Sequence, residues 1–590
     1  MREGVPQGGV LSPTLFLIFI NDIMKDFPRN VKGAIYADDL VMWCTEEHLT
    51  TAQYRLQLAL NELNRWTKQW AVKTNANKTT FSVFSLSPKI PKIRLLIDEI
   101  ALQQDDSPTY LGITFDQRLT WKQHLHRAET KAKTRLTLMR KLAGSTWGAD
   151  SQTLKKMYTG YVRPVMEYGM SAWCTSAKSH TDRLNRVQNQ AGRIITGGLR
   201  STPIFEMENM SGLHSLDERR ESKVLTQAAK FKRLQTHPMR SRMSNTVKNR
   251  LKRGSFLHSS KEFTKNNPDL QEHEPEDIPI CESVPIWQHC PNLKINLTIP
   301  HIKPKNSQSG TTRRALAMEY IESNFPEDTW IRIYTDGSSE NATHNGGAGI
   351  LIQCPTENEE RISLPAGAFA TQFKAEVTAI QEATLIMQEK YTDQHIVILT
   401  DALSVLQALK TNKNKELNEF KSNIVKLSET NKLILQWIPS HCDLYGNEET
   451  DNLAKLGSKM TQNNKITNYS EEKILIKANQ QRIWKAKHPQ FNKSDAYHQL
   501  TRGEQVIIFR LRTNHNRLKH HLFHKFRIGE TDQCTVACRQ KRKGRHCTAK
   551  CKGYFYIFPT EDKSSNTGSN ILSGKEPPGI QKKITNLVSS

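Results

Sequence analysis

Apolar and polar positions alternate along Trp330-Ile331-Arg332-Ile333-Tyr334-Thr335-Asp336, and the run stops at Gly337-Ser338. A period of two predicts a strand, here one that leaves Asp336 at its end. Gly346–Ile352 predicts a second strand, whose glycines allow another backbone to approach closely. Between Gln372 and Glu389 the spacing lengthens to three and four, with Phe373, Val377, Ile380 and Leu385 on one face, so a helix carrying Glu376 is expected. The run His395-Ile396-Val397-Ile398-Leu399-Thr400 predicts a buried strand ending on Asp401. Leu433–Ile438 predicts another, leading to His441, Gly446-Asn447-Glu448 and a helix start at Asp451. Residues 325–462 therefore predict an α/β domain.

The same pattern divides the rest of the chain. Residues 1–118 mix both periods. Leu15–Ile20 reads as a buried core helix, and Ala34–Trp43 as a hairpin with Asp38 and Asp39 at its tip. Trp121–Leu142, Ser151–Val162 and His180–Ile195 show helical spacing, giving a helical region at 119–235. Residues 236–324 lose periodicity and gather Pro, Asn, Lys and Ser, the composition of a linker. Residues 463–590 are expected to be a basic C-terminal region with a Cys/His cluster and a disordered tail. The overall class is multi-domain α+β, with the α/β domain at 325–462.

Charge points to a partner. The net charge is +25 and the mean hydropathy is −0.62. From Trp121 to Ser260 there are 27 Lys/Arg against 9 Asp/Glu, whereas Trp330–Met460 has 12 against 17. The basic surplus lies outside the segment with the acidic candidates, which suits a chain that holds nucleic acid in one part and acts on it in another. No apolar run approaches the roughly 20 residues of a membrane span, and the N-terminus lacks a signal-peptide pattern. The ten Cys have no secretory context, so free thiols in a reducing compartment, nucleus or cytoplasm, are expected.

Asp336, Glu376, Asp401 and Asp451 can meet at one sheet edge. An Asp at a strand end is also a common helix N-cap, so each alone says little. Four together repel unless cations neutralise them. Two Mg²⁺ (or Mn²⁺) ions about 3.5–4 Å apart would do so and would supply phosphodiester hydrolysis. The ordered set Thr-Asp-Gly-Ser, helical Glu, Thr-Asp-Ala and His-x4-Gly-Asn-Glu-x2-Asp resembles the ribonuclease H family across the segment. The resemblance implies a five-stranded mixed sheet with helices, and Asp336, Glu376, Asp401 and Asp451 as metal ligands. It also makes His441 the mobile-loop histidine and places Asn447 and Ser338 near substrate. Ser440 and Thr450 depart from the common Gly and Ala, and neither removes a ligand.

Gly4-Val5-Pro6-Gln7-Gly8-Gly9-Val10-Leu11-Ser12-Pro13 and Tyr36-Ala37-Asp38-Asp39 resemble the reverse transcriptase palm of non-LTR retrotransposons of jockey and I-factor type. Asn77-Lys78-Thr79-Thr80 is similar to that family's next motif, and Tyr110-Leu111-Gly112 to its primer-grip hairpin. The helices at 119–235 are similar to its thumb and connection. The family's third carboxylate and its fingers precede the Gly-rich motif, so a truncated palm without polymerase activity is expected, with Asp38 and Asp39 as relics.

Near the end, Cys534-x3-Cys538-x7-His546-Cys547-x3-Cys551 offers soft ligands to Zn²⁺, at spacings that depart from the knuckle of related elements. The function expected is hydrolysis of the RNA strand of an RNA–DNA hybrid. The alternative is a non-catalytic nucleic-acid-binding retroelement remnant. A transposase or exonuclease of the same fold is disfavoured by the His-x4-Gly-Asn-Glu motif.

Overall fold

A computed structural model describes residues 4–87, 92–244, 254–278, 290–303, 307–355, 358–411 and 415–515, together with Phe523, Arg527 and Ile528. The Cys534–Cys551 cluster lies outside the described residues. The chain divides into two compact units, Met1–Gly169 with Ser176–Ile194, and Met170–Thr175 with Ile195–Ser590.

In the first unit, strands β1 (Val31–Tyr36) and β2 (Asp39–Cys44) form the expected hairpin, paired from Val31↔Cys44 to Tyr36↔Asp39. Its turn is tight because Ala37 takes a left-handed φ of 51°. Helix α2 (Leu49–Gln69) buries Leu60 and Leu63 with Ile23, Leu95 and Ile97. The preceding helix, α1 (Ser12–Ile20), corrects an expectation. It is not a buried core helix: Leu15, Leu17 and Ile18 are exposed, and only Ser12 is fully buried. An all-round apolar sequence announces burial, but the described residues supply no second layer over this helix. Thr109-Tyr110 and Ile113-Thr114 close the second expected hairpin, with Leu111 and Gly112 both at positive φ. The helical region begins with α3 (Lys122–Arg140) and includes α4 (Lys178–Thr196).

The second unit is built on one sheet of six strands. These are β3 (Leu293–Asn296), β4 (Ile331–Glu340), β5 (His344–Gln353), β6 (Glu360–Gly367), β7 (His395–Thr400) and β8 (Lys432–Trp437). Their spatial order is β3-β8-β7-β4-β5-β6. The meander β4-β5-β6 is antiparallel, while β3, β8, β7 and β4 run parallel. One face is covered by α7 (Gln372–Lys390), α8 (Leu403–Thr411) and α9 (Asn418–Thr430), whose Val377, Ile380, Leu406 and Phe420 pack on Ile333, Ile350 and Ile398. The other face receives α6 (Gly310–Asn324) and the start of α10 (Tyr445–Lys459).

Two elements here belong to the segment read as a linker. Strand β3 pairs Leu293↔Leu433 to Asn296↔Gln436, adding a sixth strand to the five expected. Helix α6 buries Ala317 and Ile321 beside Tyr334 and Leu399. Its inward residues Arg313, Ala317 and Ile321 give a sparse apolar stripe, which is why periodicity passed over it. Beyond the sheet, α11 (Tyr469–Lys487) and α12 (Arg502–Arg512) occupy a region with little helical signal, and α11 opens on a capping box of Asn468 and Glu471. With α5 (Leu216–Arg233) it forms a helical extension of the sheet domain. Among the described residues no helix is long and apolar enough to cross a membrane.

Candidate active site

The parallel register of β4 and β7 ends at Thr335↔Thr400, so Asp336 and Asp401 are the next residues on adjacent strands. Neighbouring strands lie about 4.8 Å apart, which sets the two carboxylates side by side. Asp336 is not at a strand end, because β4 continues to Glu340 against β5 alone. It sits where β4 parts from β7, an equivalent placement reached by different geometry.

The third carboxylate is brought in by an absent side chain. A Cβ at Gly337 would collide with the backbone nitrogen of Glu376 and the carbonyl carbon of Ala375. Glycine thus lets α7 lie against β4 and sets Glu376 beside Asp336. Thr371 caps α7 through Lys374 N at 3.2 Å, and the Gln372 amide donates both to the Gly337 carbonyl and, at 3.4 Å, to Glu376 Oε1.

The fourth follows from the glycines of β5. Gly349 is the cross-strand partner of Asp336, and a Cβ on it would strike the Thr450 carbonyl; one on Gly347 would strike the Ala454 carbonyl. Helix α10 therefore rides on bare strand backbone, with Thr450 and Ala454 buried, and Asp451 is carried towards Asp336. The close approach expected of these glycines is the device that seats the helix.

Electrostatics report the result. Asp336, 8% exposed, is pushed up to about 8, first by burial and then by Asp401, Asp451 and Glu376, against a lowering bond from Gly337 N at 2.7 Å. Glu376 is raised to about 7 by burial and by Asp401. Burial also raises Asp401, opposed by nearby His441 and by a hydrogen bond from the Asn447 amide. The ammonium of Lys455 bonds to the Asp451 carboxylate one helical turn away. Among the described residues no three His, Cys, Asp or Glu side chains converge tightly enough to grip an ion. The carboxylates are within electrostatic reach of one another without closing on a point.

His441 is exposed, in a loop where it and Asp443 hold φ of 49° and 57°. Asn447, expected near substrate, is buried against Asp401, and its Oδ1 has no partner among the described residues. Ser338 is half-buried on β4, opposite Gly347. Lys455 escaped sequence reasoning, although its place four residues after Asp451 on a helix was a usable signal. Asp38 and Asp39 are exposed at the β1–β2 tip, and lie in the other unit.

Residues 1–115 match the family of reverse transcriptases (RNA-dependent DNA polymerases), and residues 328–459 match the RNase H family. The chain is 35% identical over 206 residues to a probable RNA-directed DNA polymerase from transposon BS of Drosophila melanogaster, covering 33% of this chain and 22% of that protein. It is 26% identical over 287 residues to the RNA-directed DNA polymerase of the mobile element jockey from the same fly, covering 47% and 30%. The chain thus spans less than a third of the length of either relative. Among solved structures, RNase H1 of Halobacterium salinarum aligns at 18% identity over 22% of this chain and 96% of that one, with a TM-score of 0.18.

Proposed function

We propose that this chain, whose residues 1–115 match reverse transcriptases and 328–459 match RNase H, derives from a non-LTR retrotransposon polyprotein, and that its RNase H domain is a metal-dependent endonuclease for the RNA strand of RNA–DNA hybrids. The observation that carries this reading is the gathering of buried Asp336, Glu376 and Asp401 by the β4–β7 register and the close approach at Gly337, where burial raises all three and Asp401 adds to the rise of the first two. Carboxylates held together against their own repulsion fit hard dications, and the all-oxygen donor set favours Mg²⁺ or Mn²⁺.

Asp336, Glu376, Asp401 and Asp451 would hold two such ions, which when bound activate a water and stabilise the departing 3′ oxygen. The protein's own residues do the rest. Asn447 fixes the Asp401 carboxylate through its amide, a positioning role rather than the substrate contact expected of it. Gln372 steadies Glu376 from the preceding turn. His441, solvent-facing and close to Asp401, would carry a proton between the site and bulk water. Ser338, beside Asp336, is available to a substrate oxygen. Choice of RNA requires contacts to the 2′-hydroxyl, since the carboxylates act on any phosphodiester.

The test is strand-resolved cleavage of labelled RNA–DNA hybrid, duplex DNA and single-stranded RNA in Mg²⁺. Cutting confined to the RNA of the hybrid is the expected result. Binding without cutting in either Mg²⁺ or Mn²⁺ would overturn the reading and leave the four carboxylates as a structural relic.

A further inference from the structure

The nuclease segment repels the kind of substrate proposed for it, with 12 Lys/Arg against 17 Asp/Glu between residues 330 and 460. The helical extension in the same unit has the opposite character. Helices α5 and α11 are locked by the fully buried Arg233, which pairs with Glu472 and donates to the Thr467 carbonyl at 2.9 Å. Leu225 and Ala229 of α5 and Leu475 and Ile476 of α11 close around Phe369. That phenylalanine lies in the loop ending at Thr371, the cap of the helix that carries Glu376. Backbone joins the two as well, through Ala368 N to the Asn464 carbonyl at 2.8 Å. The extension is thus fixed to a loop that leads directly into the candidate site.

The outer faces of these helices hold a surplus of charge. Every carboxylate is engaged: Asp217 with Arg220 at 2.8 Å, Glu218 with Lys487 at 3.0 Å, Glu221 with Asn267 at 3.1 Å, Glu471 in the cap and Glu472 with Arg233. Lys223 and Lys230 on α5, and Lys473, Lys477 and Lys485 on α11, are exposed and enter no ion pair among the described residues. Helix surfaces that merely face water commonly match such lysines with acids four residues away. Here Glu218 and Glu472 join the two helices and Glu221 reaches Asn267, while Asp217 and Glu471 are engaged within their own helices.

We infer that the lysine face of α5 and α11 is a platform for the phosphate backbone of a nucleic-acid duplex, holding it against the RNase H site. The inference rests on the nuclease reading for the identity of the duplex. Lysine ammonium groups contact phosphates as point charges and read no sequence, so the platform would serve any hybrid. Each phosphate contact releases counterions, giving a slope in log affinity against log salt of about 0.9 per contact.

The experiment uses the full chain and fluorescence anisotropy of a labelled RNA–DNA hybrid, with Ca²⁺ replacing Mg²⁺, over a range of salt. K473E/K477E/K485E is compared with K25E/K32E/K73E, an equal charge change on exposed lysines of the other unit. The platform variant should bind at least about tenfold more weakly at moderate salt and lose about three units of salt slope. Its cleavage of dilute hybrid in Mg²⁺ should fall in proportion to the lost affinity, since uniform binding is what it loses. The neutral K473Q/K477Q/K485Q, with unchanged melting temperature, should show a smaller loss of the same kind. Unchanged affinity and slope would overturn the inference. So would an equal loss in the control variant, or a loss seen only on anionic phospholipid vesicles. Wild type that binds hybrid steeply but never cuts it would sink the nuclease reading alone. Wild type that cuts, beside platform variants that bind normally, would sink the platform alone.

Discussion

Two pairs of aspartates in this molecule look alike as sequence and differ as structure. Asp38 and Asp39 are consecutive, at the tip of a local hairpin, and both are exposed. Asp336 and Asp401 lie far apart in the chain and meet only because β4 and β7 share a parallel register. The first pair needs one turn to exist and is left in water. The second needs the whole sheet, two layers of helices and a glycine at each close approach, and is desolvated by them. Burial and neighbouring carboxylates move the proton affinity of the second pair upwards. Motif strength and chemical activation are separate properties; the latter comes from long-range packing.

The largest test of that contrast is at the glycines. Gly349→Ala places a Cβ against the Thr450 backbone, which cannot yield without moving α10, and should destabilise the sheet domain by about 3 kcal/mol or more. Gly33→Ala in the hairpin meets only the Met24 thioether, which can swing aside, and should cost less than about 1 kcal/mol. Denaturant midpoints of the two variants measure the difference; equal costs would break the comparison.

Next in size is Ile321→Ala on α6, a residue 2% exposed in the second core. A loss of about 2–4 kcal/mol is expected, whereas a true linker would tolerate it without measurable change. Smaller, and specific to the buried carboxylates, is a pH effect without divalent metal. Asp336 at about 8 and Glu376 at about 7 hold their protons more tightly folded than unfolded. The native state then binds more protons between about pH 4 and 8, so stability falls as pH rises through that window. The loss should exceed about 1.4 kcal/mol, the worth of one pK unit, and should be relieved by Asp336→Asn or by added Mg²⁺. Thermal melts across that pH range would show it.

Much of this was legible in the chain. Strands β4, β5, β7 and β8 and the helix bearing Glu376 follow from periodicity, because each has one dominant face; the helix start expected at Asp451 is instead at Tyr445, more than a turn earlier. Strand β6 was missed: Pro365 interrupts its pattern, and an edge strand tolerates a proline that a central one would not. Strand β3 is four residues long and gains its identity only from pairing with β8. Leu15–Ile20 misled in the other direction, since hydrophobicity states a preference for burial and cannot supply the partner. In the site, residue types were readable but their coupling was not. The Asn447 amide on Asp401 and the Lys455 ammonium on Asp451 depend on how α10 seats on β5.

The most direct measurement compares Mg²⁺-dependent cleavage of an RNA–DNA hybrid by wild type, Asp401→Asn and the double variant Asp38→Asn/Asp39→Asn. Wild type and the double variant should cut the RNA strand at equal rates. Asp401→Asn should lose at least about 10³-fold, the scale on which members of one catalytic unit act. Cleavage that survives in Asp401→Asn, or that disappears with the hairpin aspartates, would contradict the assignment of catalysis to the buried carboxylates of the sheet.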